Sequence, residues 1–248
     1  MSKVQFDFSG ERYVVTGASS GMGRDSALAL AKAGAKVLAI GRNHDRLKEV
    51  SSYYPENIIP ISVDVCNIEA VESEIASFVT DYGKLNGAIH AAGIMGLTPL
   101  RNGNFEQAKK IMDVSFWAGI AILRLVTKAK YAEKETSTVL FSSVCSQSAE
   151  KGMLAYAATK AAVNVAIRSI AKEIAPRGHR VNSVLPGWVI SQMTDEASEF
   201  TDLKKIFDKH PLGPGKAEDV TGMILFLLSD KARWITGSNI VVDGGYLA

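Results

Sequence analysis

The stretch Tyr13-Val14-Val15-Thr16-Gly17-Ala18-Ser19-Ser20-Gly21-Met22-Gly23 runs from an apolar tetrapeptide into three glycines spaced GxxxGxG, then into a helical pattern from Met22 to Lys32. A strand that turns into a helix this tightly needs residues without Cβ where the backbone folds back. The helix that follows offers unpaired N–H groups to an anion. The spacing differs from GxGxxG, so a plain tight turn and a dinucleotide cradle both fit the residues. The same run also satisfies GxSxG through Gly17, Ser19 and Gly21, the nucleophile elbow of α/β-hydrolases. That elbow follows a mid-sheet strand, with an acid and a histidine further on, whereas Ser19 follows the first strand. Of His44, His90, His179 and His210, only His210 falls late enough in a loop to serve it.

Working outward, short apolar runs alternate with longer helical patterns. Strands are expected at Tyr13 to Thr16, Lys36 to Ile40, Ile58 to Val63, Gly87 to His90, Thr138 to Phe141, Arg180 to Val184 and Asn239 to Val242. Helices are expected near Met22 to Lys32, Asp45 to Ser52, Glu69 to Tyr82, Asn104 to Tyr131, Leu154 to Ala175 and Glu218 to Leu228. This alternation predicts βαβ units and an α/β fold, a doubly wound parallel sheet with helices on both faces. No linker or repeat divides residues 1–248, which predicts one domain. With 28 Lys+Arg against 26 Asp+Glu, the balance argues against a nucleic acid or a membrane surface as partner. Two cysteines, Cys66 and Cys145, without CxxC spacing argue against a disulfide scaffold or zinc ribbon. No ligand-like spacing suggests a metal. A polar N-terminus and short apolar runs point to a cytoplasmic protein.

Two positions bear on the ligand of the glycine turn. Arg42 follows the second strand, where an acid would accept from a ribose hydroxyl and an arginine would pair a 2′-phosphate. This favours NADP(H) over NAD(H), although a solvated Arg42 fits as well. Asp64 ends the third strand, where it could hold an adenine amino group or cap the turn into Cys66-Asn67. Farther along, Tyr156 and Lys160 stand at i and i+4 of an Ala-rich helix and share a face. An ammonium beside a phenol would lower its pKa and make it useful for proton transfer. Ser143 ends a central strand, at the carboxyl edge where open sheets bind ligands.

Taken together, the chain resembles the short-chain dehydrogenase/reductase family over nearly its whole length. The resemblance rests on Thr16-Gly17-Ala-Ser-Ser-Gly21-Met-Gly23, Asp64-Val65, Ala91-Ala92-Gly93, Ser143 with Tyr156 and Lys160, Arg180-Val-Asn182 through Pro186-Gly187, and Val242-Asp-Gly-Gly245. It implies a single Rossmann-type domain with a seven-stranded parallel sheet, and carbonyl/alcohol interconversion with a nicotinamide cofactor. By that resemblance Gly17, Ser19, Ser20, Gly21, Met22, Gly23, Arg42, Asp64, Val65, Ala91, Ala92 and Gly93 bind the cofactor, joined by Pro186, Gly187, Val189 and Ser191 around the nicotinamide. Ser143 polarises the carbonyl, Tyr156 is the general acid, and Lys160 binds the nicotinamide ribose while depressing the Tyr156 pKa.

Two departures follow. His90 stands where the family has the Asn of Asn-Ala-Ala-Gly, and Ser115 stands where an Asn completes a catalytic tetrad by holding a water. His90 is expected to brace the core, and Ser115 to hold the water through its hydroxyl. A catalytically weak NADP-binding sensor is the alternative these departures raise. Residues 190–212, with Met193, Phe200, Leu203, Ile206 and Phe207, are expected to form a substrate lid. Lys134 and Arg177 resemble positions where 3-oxoacyl-acyl-carrier-protein reductases meet an acidic carrier, although two solvated charges are the plainer account; that reductase is the commonest occupation of family chains this short, and a carrier-bound carbonyl is therefore the leading substrate. Sugar, steroid and other alcohols stay open as small-molecule substrates. Some of the apolar surface from Ile111 to Leu123 is core; the resemblance implies that the rest builds a helical interface in a homodimer or homotetramer, with the tail from Ile240 to Leu247 near a second interface.

Overall fold

In a computed structural model, residues 4–191, 194 and 203–248 are described. The glycine turn lies where the sequence reading puts it, between β1 (Arg12–Thr16) and α1 (Gly21–Lys32). The chain continues through β2 (Lys36–Gly41), α2 (His44–Ser52), β3 (Ile58–Ser62), α3 (Ile68–Tyr82) and β4 (Leu85–His90). Next come α4 (Phe105–Met112), a π-helical turn over Asp113–Trp117, α5 (Ala118–Leu125) and β5 (Ala132–Phe141). It closes with α6 (Leu154–Ile174), β6 (Arg180–Pro186), α7 (Leu203–Phe207), α8 (Ala217–Leu228) and β7 (Asn239–Val242).

All seven strands pair in parallel in the order β3-β2-β1-β4-β5-β6-β7. Strands buried on both faces are apolar throughout, as Val14, Val15, Val37, Ile40, Ile89 and Val139 are here. One face packs against α1 and α8, through Ala27, Leu30, Ala31, Ile224 and Leu228. The other face packs α3 and α5 around Val71, Ile75, Ala118 and Ile122, with α6 beside them at Val163, Ile167 and Ala171. Pro60 is tolerated because β3 is an edge strand. The strand order reverses between β1 and β4, so a crevice opens at their carboxyl ends.

One expectation is corrected. The helix expected from Asn104 to Tyr131 stops at Leu125, and β5 starts at Ala132 rather than Thr138. The Ala/Lys/Glu-rich composition of this stretch is helix-compatible, but tertiary bonds override it. Lys128, Lys130 and Tyr131 all reach the Glu72 carboxylate on α3, at 2.9, 3.0 and 3.0 Å. The Tyr131 carbonyl accepts the Leu85 N–H at 2.8 Å, which starts the pairing of β5 with β4. Within the run, the π turn leaves the Ala118 N–H bonded to the Asp113 carbonyl, and Ser115 sits inside that widened turn.

Candidate active site

The crevice at the switch point is a cleft of about 830 Å³ lined by the glycine turn, the ends of β2, β3 and β4, α4 and Ser191. Gly17, Gly21 and Gly23 each have a separate reason to lack a side chain. A Cβ at Gly17, where φ is +69°, would lie 2.7 Å from the Ala92 nitrogen. One at Gly23 would lie 2.3 Å from the Gly17 carbonyl oxygen. One at Gly21, where φ is +53°, would point into the cleft with only the Ser191 Cβ near, at 3.7 Å. The first two glycines close the turn, and the third leaves space above the helix. No side chain caps α1 at Ser20 and no acid stands in its first turn, so its N–H groups and positive dipole end face the cleft. These features fit a dinucleotide pyrophosphate.

At the far wall, Arg42 and Asp64 both line the cleft, as do Val65, Cys66, Ala91, Ala92 and Gly93. Arg42 is exposed, and its carbonyl is held by the Ser62 hydroxyl at 3.0 Å. Asp64 accepts from the Cys66 N–H at 2.9 Å, while Asn67 caps α3 by accepting from the Ala70 N–H at 3.2 Å. Asp64 therefore shapes the loop and still faces the cleft. The α4 side chains Asn104, Gln107, Lys109 and Lys110 also line this end and were not anticipated from the sequence. Their signal was a polar face of the helix with no core to cover.

Ser143, Tyr156, Lys160 and Ser115 gather just past Gly93 and Phe141. Lys160 is buried, and its Nζ donates to the Phe141 carbonyl at 2.8 Å. The Ser142 hydroxyl in turn donates to the Lys160 carbonyl at 2.9 Å, which pins α6 to the end of β5. The Lys160 Nζ lies 5.5 Å from the Tyr156 ring centroid. Ser143 is buried; its Oγ accepts from the Cys145 N–H at 3.1 Å, and its hydroxyl is close enough to the Tyr156 phenol to favour the phenolate. Thr98 caps the first turn of α6 by accepting from the Ala155 N–H at 2.9 Å. Around the spot where a Gly93 Cβ would sit, the Ser115 Oγ lies at 3.3 Å and the Lys160 Nζ at 3.7 Å. Ser115 also accepts from the Ile94 N–H at 3.3 Å.

Electrostatics here correct one expectation. Desolvation raises the Tyr156 phenol above its usual value, and the Ser143 hydrogen bond opposes this only partly. Burial also brings Lys160 down to about 8, so its amine exchanges protons near neutral pH.

His90 is fully engaged in the core. Its Nε2 faces the Val114 carbonyl at 3.1 Å, so that nitrogen carries the proton, and Nδ1 accepts from the Thr16 hydroxyl at 2.8 Å. Thr16 Oγ1 then accepts the Ala92 N–H at 3.4 Å. His90 thus brackets β1, β4 and the π turn, and burial with the nearby Lys160 holds it down to about 4. A Cβ at Gly119 would lie 2.7 Å from its ring, so that glycine makes room for the histidine.

Other expected positions lie apart. Pro186 and Gly187 end β6, but the Val189 side chain is buried in the core, so only its backbone is available to a ligand. Ser191 lines the cleft and is braced by the Thr194 hydroxyl, which accepts its N–H at 2.8 Å. Much of the expected lid, including Met193 and Phe200, lies outside the described residues, and Leu203 to Phe207 form α7. Lys134, near the start of β5, and Arg177, in the 3-10 turn before β6, lie near each other at Gly178 and do not line the cleft. A hydrolase reading of Ser19 also fails, because both ring nitrogens of His210, the histidine left to serve it, bond the Trp188 N–H and the Ile206 carbonyl. No helix among the described residues is long and apolar enough to cross a membrane.

Comparison with known proteins agrees with this arrangement. A family model described as enoyl-(acyl carrier protein) reductase matches residues 17–247. The chain is 33% identical to a 3-oxoacyl-acyl-carrier-protein reductase of Rickettsia felis, over 97% of this chain and 98% of that one. It is 32% identical to carbonyl reductase (NADPH) 2 of Sus scrofa, over 99% and 100%. A short-chain type dehydrogenase/reductase of Mycobacterium marinum superposes with a TM-score of 0.90 at 29% identity, covering 97% of both chains. A parallel sheet carrying a glycine turn at its switch point, with serine, tyrosine and lysine beyond it, is thus the framework of an oxidoreductase, and the chain belongs to the short-chain dehydrogenase/reductase family.

Proposed function

We propose that the chain is an NADP(H)-dependent reductase that interconverts a ketone and a secondary alcohol, with 3-oxoacyl thioesters as its leading substrate class. The observation that carries the reading is the gathering of Ser143, Tyr156 and Lys160 around Phe141 and Gly93, two residues that line the same cleft as Arg42. When bound, the nicotinamide supplies the hydride. The Ser143 hydroxyl, oriented by the Cys145 N–H, donates to the carbonyl oxygen as negative charge develops there. Tyr156 gives its proton to the same oxygen; its raised pKa suits an acid that must stay protonated until that moment. Lys160 and Ser115, near Gly93, return a proton toward Tyr156 through a water. Arg42 pairs the 2′-phosphate, Asp64 faces the adenine, and the backbone of Pro186, Gly187, Val189 and Ser191 flanks the nicotinamide.

The whole chain acts as one domain in the cytoplasm. It works as a homodimer or homotetramer. Exposed Phe105 and Trp117 on the middle helical run and Val165 on α6 support a helical contact between copies, and Val241 a second one at β7.

Two named relatives reduce a 3-oxoacyl carrier substrate and a carbonyl with NADPH, respectively, and this supports the cofactor and the reaction. Because Lys134 and Arg177 do not line the cleft, the thioester choice rests on those relatives. A sensor without turnover is the weaker reading, since His90 is bonded at both ring nitrogens within the core and Ser115 keeps its hydroxyl beside Lys160. The deciding assay follows NADPH oxidation with 3-oxoacyl thioesters, diketones and ketoses, using wild type and Tyr156→Phe. Turnover abolished by the substitution is expected; tight NADPH binding without turnover of any of them would favour the sensor.

A further inference from the structure

His210 falls outside every motif that defines the catalytic group, yet it is buried at the meeting of three segments. Its Nε2 accepts the Trp188 N–H at 3.0 Å, so that nitrogen is unprotonated. The proton is therefore on Nδ1, which donates to the Ile206 carbonyl in α7 at 2.8 Å. The ring packs on Tyr246 of the C-terminal tail with centroids 4.8 Å apart. Gly187 has no room beside it, because a Cβ there would lie 2.9 Å from His210 Nε2 and 2.9 Å from the Asp243 Cα. The imidazole thereby fixes both sides of the Gly187–Trp188 peptide. Glu150, on the loop that begins at Ser143, is held at the same corner by the Tyr246 hydroxyl at 3.0 Å and Lys209 Nζ at 2.6 Å.

We propose that His210 is a positioning residue that holds the Gly187–Trp188 peptide in the orientation the nicotinamide half of the cofactor requires, and couples that peptide to α7. This rests on the reading that the end of β6 flanks the nicotinamide. A side-chain acceptor for a loop N–H is informative, since the neighbouring Gly187 N–H uses the Val242 carbonyl at 3.0 Å in ordinary sheet fashion. Only Trp188 depends on the imidazole. Losing this bond frees the peptide at the nicotinamide end and leaves the adenine end, built on the glycine turn and Arg42, untouched.

The test compares binding of NADPH with binding of adenosine 2′,5′-bisphosphate, which carries the adenine half alone, across wild type and variants. His210→Leu is expected to weaken NADPH about five- to tenfold, the effect of one hydrogen bond, and to leave the bisphosphate unchanged. His210→Gln, which can accept from Trp188 and donate to Ile206, should recover most of the loss. Gly187→Ala reaches the same peptide from the other side and should reproduce the selective loss, so it carries the test if His210→Leu does not fold. Equal weakening of both ligands, no weakening, or no rescue by glutamine overturns the proposal. A wild type that binds neither ligand removes the cofactor reading beneath it, whereas lost selectivity in a wild type that binds both removes the role of His210 alone.

Discussion

The two ends of the cleft are made in different ways. At the β1–α1 end the wall is backbone: Gly17 and Gly23 close the turn, Gly21 leaves space, and uncapped N–H groups of α1 face the opening. At the β5–α6 end, past the Gly93 and Phe141 that line the cleft, side chains take over: Ser143, Lys160 and Ser115 are held by the Cys145 N–H, the Phe141 carbonyl and the Ile94 N–H, with Tyr156 beside Lys160. A backbone site is fixed by local sequence and tolerates change around it. A side-chain site depends on long-range packing and fails one residue at a time.

The largest effect expected from this contrast is that of Tyr156→Phe. Removing the phenol hydroxyl should lower kcat by about 10²–10⁴-fold with cofactor affinity nearly unchanged, read by steady-state turnover beside NADPH fluorescence titration. If affinity fell as far as kcat did, the two ends would not be separable. At the other end, Arg42→Asp should weaken NADPH by about 10- to 100-fold and leave NADH almost unaffected, because a charge-assisted contact to the 2′-phosphate is lost. Equal losses for the two cofactors in parallel titrations would count against the 2′-phosphate contact.

The same contrast explains what could be read from the sequence. GxxxGxG after Tyr13-Val-Val-Thr16 is contiguous, so the turn, its strand and its helix were legible with ends correct to a residue. Ser143, Tyr156 and Lys160 were legible as candidates through their position on a strand end and a helix face. Their mutual electrostatics were not, because desolvation of the phenol depends on how α6 packs over β5. Sequence periodicity also did not reveal the π turn around Ser115 or the early end of α5. Both are imposed by partners remote in the chain, His90 at Val114 and Glu72 at Lys128 to Tyr131. His210 was legible as a loop histidine but not as the acceptor for Trp188.

His90 sits between the two ends and gives a prediction in pH. Its folded pKa, about 4, lies below the ordinary 6.5, so between those values the unfolded chain binds a proton that the folded chain does not. Stability therefore falls as pH drops through this window, by roughly 3 kcal/mol when it is fully crossed. Urea unfolding of wild type and His90→Asn at pH 7 and pH 4.5 isolates the effect: the substitution should flatten the acid loss. Equal acid losses in both proteins would mean that His90 is not the neutral bracket between Thr16 and Val114.

The smallest effect, and the one that best probes how the side-chain end is coupled, is expected at Ser115. Its hydroxyl accepts a long 3.3 Å bond from the Ile94 N–H and shares the space beside Gly93 with the Lys160 Nζ. Ser115→Ala removes one acceptor at a buried position but leaves Ser143, Tyr156 and Lys160 in place, so the proton route is weakened, not cut. A fall in kcat of about tenfold or less follows, with the KM for the ketone unchanged and a larger solvent deuterium isotope effect as proton return to Tyr156 becomes slower. Because Lys160 titrates at about 8, the loss should be greatest above that pH, where the amine has lost the proton it would pass on. A pH profile of kcat that is the same with and without the hydroxyl would place the proton route elsewhere, and the π turn would then serve His90 alone.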